Sequence, residues 1–301
     1  MAVFDVLTKI CETRKNVLLK NMCSIHIGGI GKYVCFPKSI NEVYCLLNYL
    51  TSINLEYYVF GNGTNIVFED GGYNSVLICM RKMQGMRFVK NNCYVLAGTN
   101  LLELNNKLAK HGLGGMEWSY GIPGTVGGAI CMNAGAFAGC MANHIKYVWV
   151  LCDGKIKKLT NKQMHFDYRS SIIQHSRLVV LKVLLTLEHS EKSGIKQKQN
   201  DIFNQRLNTQ PYGTINAGSV FKKTNLESAG KIIDKLGLKG VKIGDIQISS
   251  KHANFFINIG NGTSEDLHNL INFVKIRAKQ EKNIFLQEEI MFVGNKKGTN
   301  I

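Results

Sequence analysis

The chain predicts an α+β protein: a larger domain of two lobes followed by a smaller α+β domain. Short apolar strands alternate with capped amphipathic helices over the first two thirds, the layer pattern of helices packed on sheets. The two glycine-rich stretches of that region follow strands or precede small residues, where ligand loops sit. A polar run over 188–200 then sets off a last third with helices and strands of its own. The expected organisation is a lead helix over 1–20 and a larger domain over 21–190, with lobes at about 21–85 and 86–190. The smaller domain covers 200–295, and 296–301 is a tail.

Each element has a local reason. Val3, Val6, Leu7 and Ile10 stand at helical spacing and make the lead helix amphipathic. Ser39 and Glu42 form a capping box, and Val43, Leu46, Leu47, Leu50 and Ile53 share a face of the helix behind it. Strands are expected over 55–60, 75–80, 86–89 and 93–97. Asn100 caps a helix that buries Leu101, Leu104 and Leu108 and stops at Gly112. Further strands fall at 147–152 and 178–187. The last third predicts a helix over about 226–236, a strand at 254–259 and a closing strand at 285–293. Between these strands lies a long helix behind the Thr263-Ser264 cap, with Leu267, Leu270, Ile271 and Val274 inward.

Composition narrows the class of protein. With 45% hydrophobic and 19% charged residues the chain is globular rather than disordered. The net charge of +16 attracts anions, but the lysines are scattered along the sequence and form no dense run. Nine cysteines include no CxxC pair, and their odd number cannot close entirely into intramolecular disulfides, which points to a reducing compartment. Asp5, Lys9, Glu12, Arg14 and Lys15 leave no apolar signal segment, so a cytoplasmic location is expected.

The stretch 118–143, WSYGIPGTVGGAICMNAGAFAGCMAN, carries no formal charge. Its glycines and Pro123 break any helix, and Asn133 and Asn143 are costly in lipid, so it is no membrane span. Glycines this dense let backbone N–H groups approach a ligand closely. An uncharged wall of amides suits a large, flat, anionic group; the competing reading is a structural turn region. The second stretch, Gly61-Asn62-Gly63-Thr64-Asn65, links two strands. It is neither a Rossmann fingerprint, since Ile66 continues a strand, nor a P-loop, since the lysine is missing. Phosphates there would be held by a nest of backbone amides with the Thr64 hydroxyl and the Asn65 amide. A plain hairpin turn is the alternative.

Residues 121–139 resemble the flavin-binding signature of the UDP-N-acetylenolpyruvoylglucosamine reductases, flavoenzymes of peptidoglycan precursor synthesis. The segment 60–65, FGNGTN, resembles that family's pyrophosphate loop, and Ile25-His26-Ile27-Gly28-Gly29 stands where the family has a strand entering a glycine turn. Tyr168-Arg169-Ser170, the AGSVFK block at 217–222 and Glu289-Ile290 follow in the family's order, so the resemblance runs from about residue 21 to 294. It implies a flavin-binding domain of the vanillyl-alcohol-oxidase/PCMH type over 21–190 and a substrate domain over 200–295. It also implies non-covalent FAD, held by Gly61, Asn62, Gly63, Thr64 and Asn65 on one side. On the other side stand Gly121, Ile122, Pro123, Gly124, Thr125, Gly127, Gly128, Asn133, Ala134 and Gly135. NADPH would be the hydride donor, and the substrate a nucleotide sugar carrying a carboxyvinyl ether. No metal, nucleic acid or membrane partner is expected, and the chain is expected to act as a monomer.

By the same resemblance three residues carry the reaction. Arg169 meets the substrate carboxylate, because a guanidinium offers two parallel bonds and stays charged. Ser219 supplies the proton, and Glu289 lies near the carboxylate. Lys222, Gln210, His252 and Asn254 are expected to bind substrate; His252 reads equally as a satisfied core histidine. Lys223-Thr224 and Met291 depart from the family pattern, and the short connection between Arg169 and Ser219 resembles the shorter family type, which lacks an extra tyrosine loop. The rival readings are another flavoprotein oxidase or dehydrogenase of the same fold, and a basic nucleic-acid-binding protein resting on charge alone.

Overall fold

A computed structural model describes residues 2–295; the expected tail at 296–301 lies outside them. The chain divides into two compact units, one of Met1–Arg14, Val34–Asn62 and Val76–Arg206, the other of Lys15–Tyr33, Gly63–Ser75 and Leu207–Ile301. Both units thus draw on separated stretches, whereas the sequence reading places consecutive domains. Three of the four early crossings fall inside the strands Glu12–Leu18, Ile30–Phe36 and Tyr73–Cys79, where no shift in composition marks them, and the fourth lies between Asn62 and Gly63.

In the first unit the lead helix is shorter than expected. It spans Val3–Ile10, and the chain is already a strand from Glu12. The helix Ile40–Ser52 starts as read, with Ser39 Oγ accepting from the Glu42 N–H (3.1 Å). The Glu42 carboxylate reaches one residue past the cap, taking the Lys38 N–H (2.8 Å). Tyr57–Phe60 pairs in parallel with Tyr73–Cys79, Tyr57 facing Val76 and Phe60 facing Cys79.

The unit's main sheet has five antiparallel strands in the order Lys155–Thr160, Ile145–Cys152, Val179–Thr186, Asn92–Leu96 and Met86–Val89. The first of these has no counterpart in the sequence reading, because its lysines hide the strand alternation; the Asp153-Gly154 turn joins it to its neighbour. Val148, Val183 and Val95 face one another in one buried row. The helix Val126–Cys131 packs on the Val179–Thr186 and Asn92–Leu96 strands. On alternate positions, one row crosses the sheet as Thr160, Tyr147, Leu184, Tyr94 and Arg87. The next runs Lys158, Trp149, Lys182 and Leu96.

The polar run over 188–200 is no linker: it leads into the helix Lys192–Thr209. That helix escapes a pattern reading because its buried positions are Ile195, Gln199 and Arg206, only one of them apolar. Gln199 Nε2 donates to the Asn105 carbonyl (3.1 Å), and the guanidinium of Arg206 donates to the carbonyls of Tyr120 (2.9 Å) and Trp118 (3.1 Å).

In the second unit an antiparallel sheet runs Asn216–Ser219, Phe255–Asn258, Ile246–Ile248, Lys242–Ile243. The helix Ser264–Lys282 packs against its far edge and buries Leu267, Leu270, Ile271 and Val274 as read. Its capping box is reciprocal: Asp266 N–H donates to Thr263 Oγ1, and Thr263 N–H to Asp266 Oδ2, both at 3.0 Å. The expected 226–236 helix is Ala229–Lys235, since Thr224 Oγ1 takes the N–H groups of Leu226 and Glu227 in a turn. Residues 25–27 form no strand, and His26 has φ 55°. Only Met291–Val293 of the expected closing strand is regular, pairing in parallel with Ile66–Phe68. No helix among the described residues is long and apolar enough to cross a membrane.

Candidate active site

The amides at the start of the short central helix are spent within the chain, whereas those of the loop 62–65 are not. At the start of the helix Val126–Cys131, Val126 N–H donates to the Thr99 carbonyl (2.9 Å) and Gly127 N–H to the Ala97 carbonyl (2.7 Å). Gly128 N–H donates to Thr125 Oγ1 (3.3 Å). This corrects the expectation of an open wall of amides at these three positions: the helix start is closed by its own chain. In the other stretch the N–H groups of Asn62, Gly63, Thr64 and Asn65 find no acceptor among the described residues. Successive undonated N–H groups in a turn form an anion-binding nest, and they fit the pyrophosphate of a flavin dinucleotide.

In the first unit, the central stretch is tied to the turn 167–170. Asn133, at φ 40° and 7% exposed, donates through Nδ2 to the Asp167 carbonyl (3.0 Å) and accepts the Ala142 N–H at Oδ1 (3.0 Å). Its carboxamide is spent as a brace. Arg169 sits at φ 52°, unusual for a side-chain-bearing residue, and its guanidinium donates to the Gly135 carbonyl (2.9 Å). Gln174 holds that conformation, donating from Nε2 to the carbonyls of Arg169 (3.0 Å) and Cys131 (2.9 Å). Ile122 N–H donates to the Ser119 carbonyl (3.0 Å), and Pro123 beside it is exposed. The Trp118 and Tyr120 carbonyls just before Gly121 are those that Arg206 holds. Sequence reasoning missed Gln174 and Arg206, since a lone polar residue in a polar run carries no signal.

In the second unit, Ser219 and Glu289 come together. Glu289 N–H donates to the Val220 carbonyl (2.7 Å), and Asn65 Nδ2 donates to the Glu289 carbonyl (3.1 Å). Ser24 links the loop to the serine strand, its N–H donating to the Gly63 carbonyl (3.0 Å) and its hydroxyl to that of Asn216 (2.6 Å). The half-exposed Ser219 hydroxyl has no partner among the described residues. Glu288 is separated from Glu289 by its role, since it pairs with Lys275. Lys222 is half-buried, its N–H donating to the Gln287 carbonyl (2.8 Å); Gln210 is also half-buried.

Asn254 and His252 take structural positions. Asn254 is 6% exposed; its Oδ1 accepts the Phe221 N–H (3.0 Å) and its Nδ2 donates to the Phe221 carbonyl (2.8 Å). It therefore fixes the backbone just after Ser219. His252 Nδ1 accepts the Asn254 N–H (3.2 Å), and burial holds its pKa below the usual imidazole value. An open cleft of about 390 Å³ in the first unit, lined by Glu117, Trp118, His144 and Asp201, contains none of the expected site residues. Among the described residues no cluster of three or more His, Cys, Asp or Glu side chains could hold a metal.

Residues 31–160 match the family described as FAD binding domain, and residues 210–293 match the C-terminal domain of UDP-N-acetylenolpyruvoylglucosamine reductase. A reductase of that name from Prochlorococcus marinus is 37% identical over 286 residues, covering 94% of this chain and 98% of the relative. The crystal structure of the Thermus caldophilus reductase superposes with a TM-score of 0.79 at 31% identity, covering 93% of this chain and 98% of the other. The Physcomitrella patens protein BBE-like 1, 13% identical with a TM-score of 0.50 over 62% of this chain and 44% of its own, shares the fold. With both ends of the chain matched and relatives spanning nearly all of it, the chain belongs to the UDP-N-acetylenolpyruvoylglucosamine reductase family.

Proposed function

We propose that the protein reduces UDP-N-acetyl-3-O-(1-carboxyvinyl)-glucosamine to UDP-N-acetylmuramate with FAD and NADPH, in the cytoplasm, as a step of peptidoglycan precursor synthesis. The observation that carries this reading is the uncommitted Ser219 hydroxyl one residue from Val220, whose carbonyl takes the Glu289 N–H. FAD, when bound, relays hydride from NADPH to the vinyl carbon distal to the carboxylate. The chain's own residues do the rest. The open N–H groups of residues 62–65 hold the cofactor's pyrophosphate. Arg169, set in place by Gly135 and Gln174, offers its guanidinium to the substrate carboxylate, where negative charge builds. Ser219 delivers a proton to the carbon bearing that carboxylate, and Lys222, three residues on, favours the alkoxide it leaves. Glu289 is assigned to the carboxylate end of the same site, and Gln210 to the nucleotide sugar. The test is turnover: the purified protein should be yellow and should oxidise NADPH only when the carboxyvinyl nucleotide is present. A yellow protein that oxidises NADPH with a different alcohol or enol substrate instead would overturn the reading.

A further inference from the structure

Strand register gathers lysines that look scattered in the sequence. On the sheet face of the first unit opposite the buried valine row, Lys158 Nζ stands 3.7 Å from the Tyr147 ring centroid and 5.6 Å from that of Trp149. Lys182 Nζ stands 4.5 Å from the Trp149 ring on its other flanking strand. Tyr94 and Tyr147 lie 6.0 and 6.3 Å from Trp149, so the three rings form one strip, and Arg87 ends the row beyond Tyr94. No Asp or Glu stands in either row. Lysine stems covering aromatic rings explain the apolar half of this arrangement. They leave the ammonium groups without a carboxylate beside them, in contrast to Lys82, Lys235, Lys239 and Lys275, which pair with Glu12, Glu227, Asp234 and Glu288.

We propose that this face binds single-stranded nucleic acid, with bases stacked on the Tyr94–Trp149–Tyr147 strip and phosphates on Lys158, Lys182 and Arg87. Open sheet faces bearing aromatic rings are stacking platforms for two or three unpaired bases. Five strands at a spacing of about 4.8 Å span about 19 Å, room for such a segment. A second copy of the chain is a poor occupant, since each copy carries a net charge of +16. A protein partner is disfavoured because lysine is depleted from protein interfaces.

The test uses the flavin-loaded protein and a fluorescently labelled eight-nucleotide thymidylate strand, with binding read by anisotropy at low salt. Binding should quench emission from Trp149, the other tryptophan, Trp118, being 5% exposed. Trp149→Ala should weaken binding about tenfold. Lys158→Gln with Lys182→Gln should lower the slope of log affinity against log salt by about 1.4. Trp149→Phe, which keeps a stacking ring, should bind nearly as tightly but lose the quenching. Flavin content and NADPH-dependent turnover should be unchanged in all three, which also shows that they fold. Three results would each overturn the proposal: no binding, equal binding by polyglutamate, or affinity unaffected by both Trp149→Ala and the lysine pair. Equal binding by polyglutamate would assign the face to an acidic polypeptide instead.

Discussion

Gly61 and Thr125 touch so closely that a methyl group on Gly61 would stand 2.1 Å from Thr125 Oγ1. The same Oγ1 accepts the Gly128 N–H, so the end of the strand Tyr57–Phe60 and the start of the helix Val126–Cys131 meet at one side chain. Two stretches far apart in sequence therefore serve one place in the first unit, and glycine at 61 is a requirement of packing.

Adjacent glycines in that helix should respond in opposite ways. A Cβ on Gly127 would stand 2.9 Å from the Ala97 Cβ and 3.1 Å from its carbonyl oxygen, so Gly127→Ala should cost about 1–3 kcal/mol of stability. A Cβ on Gly128 would meet only Thr125 Oγ1, at 3.4 Å. Gly128→Ala should therefore leave the flavin-free protein as stable or more so by about 0.5–1 kcal/mol, as alanine favours a helix. It should nevertheless lose flavin if the cofactor lies on this exposed glycine. Thermal unfolding of flavin-free protein and flavin absorbance separate the effects; full flavin occupancy in Gly128→Ala would place the cofactor elsewhere.

Ser219→Ala makes a separable kinetic prediction. Reduction of the bound flavin by NADPH needs no proton from the serine, so that half-reaction should be nearly unchanged. Reoxidation by substrate does need one, and should slow by at least ~10²-fold. Ser219→Cys should recover part of the loss. Anaerobic stopped-flow absorbance follows each half separately, and wild-type reoxidation in the alanine variant would return Ser219 to the status of a turn residue.

Stability should fall as the pH drops from about 7 to 5, in part through His252 and His144. Burial lowers both pKa values; for His252, Lys239 adds to the shift and Asp234 opposes it. The unfolded chain, with imidazoles near about 6.5, then binds more protons than the folded one below that pH. The contribution is full above that value and is lost as the pH falls towards the folded pKa. Glu12, held at about 2 by hydrogen bonds from Lys82 and then Arg14, loses its own contribution only at lower pH. His252→Asn, which can still accept the Asn254 N–H, should lose less melting temperature over this range than the wild type. An identical loss would assign the effect to other groups.

The flavin should be released intact by acid precipitation and appear in the supernatant. Of the two thiols in the central stretch, Cys131 is pushed up to about 11 by burial and is a poor nucleophile, while Cys140 donates to Asn143 Oδ1 (2.7 Å). Flavin pelleting with the protein would contradict this and direct attention to those two cysteines.

Local sequence accounts for what is settled within one helical turn or one strand. The caps at Ser39, Asn100 and Thr263 stand where they were read, because a side-chain oxygen reaches an N–H two or three residues on. The buried faces at Leu46–Leu50 and Leu267–Val274 follow from a period of 3.6 residues. The family resemblance was legible because its motifs are short, ordered and local. Tertiary structure alone decided which backbone amides were already spent. Val126 and Gly127 look as free as Thr64 and Asn65 until Thr99 and Ala97 are folded against them. It also turned a polar run into a helix through Gln199 and Arg206, spent the carboxamides of Asn133 and Asn254 on backbone, and aligned Lys158 with Trp149 and Lys182. These outcomes depend on partners up to 94 residues away, brought in by packing and strand register, which local periodicity does not encode.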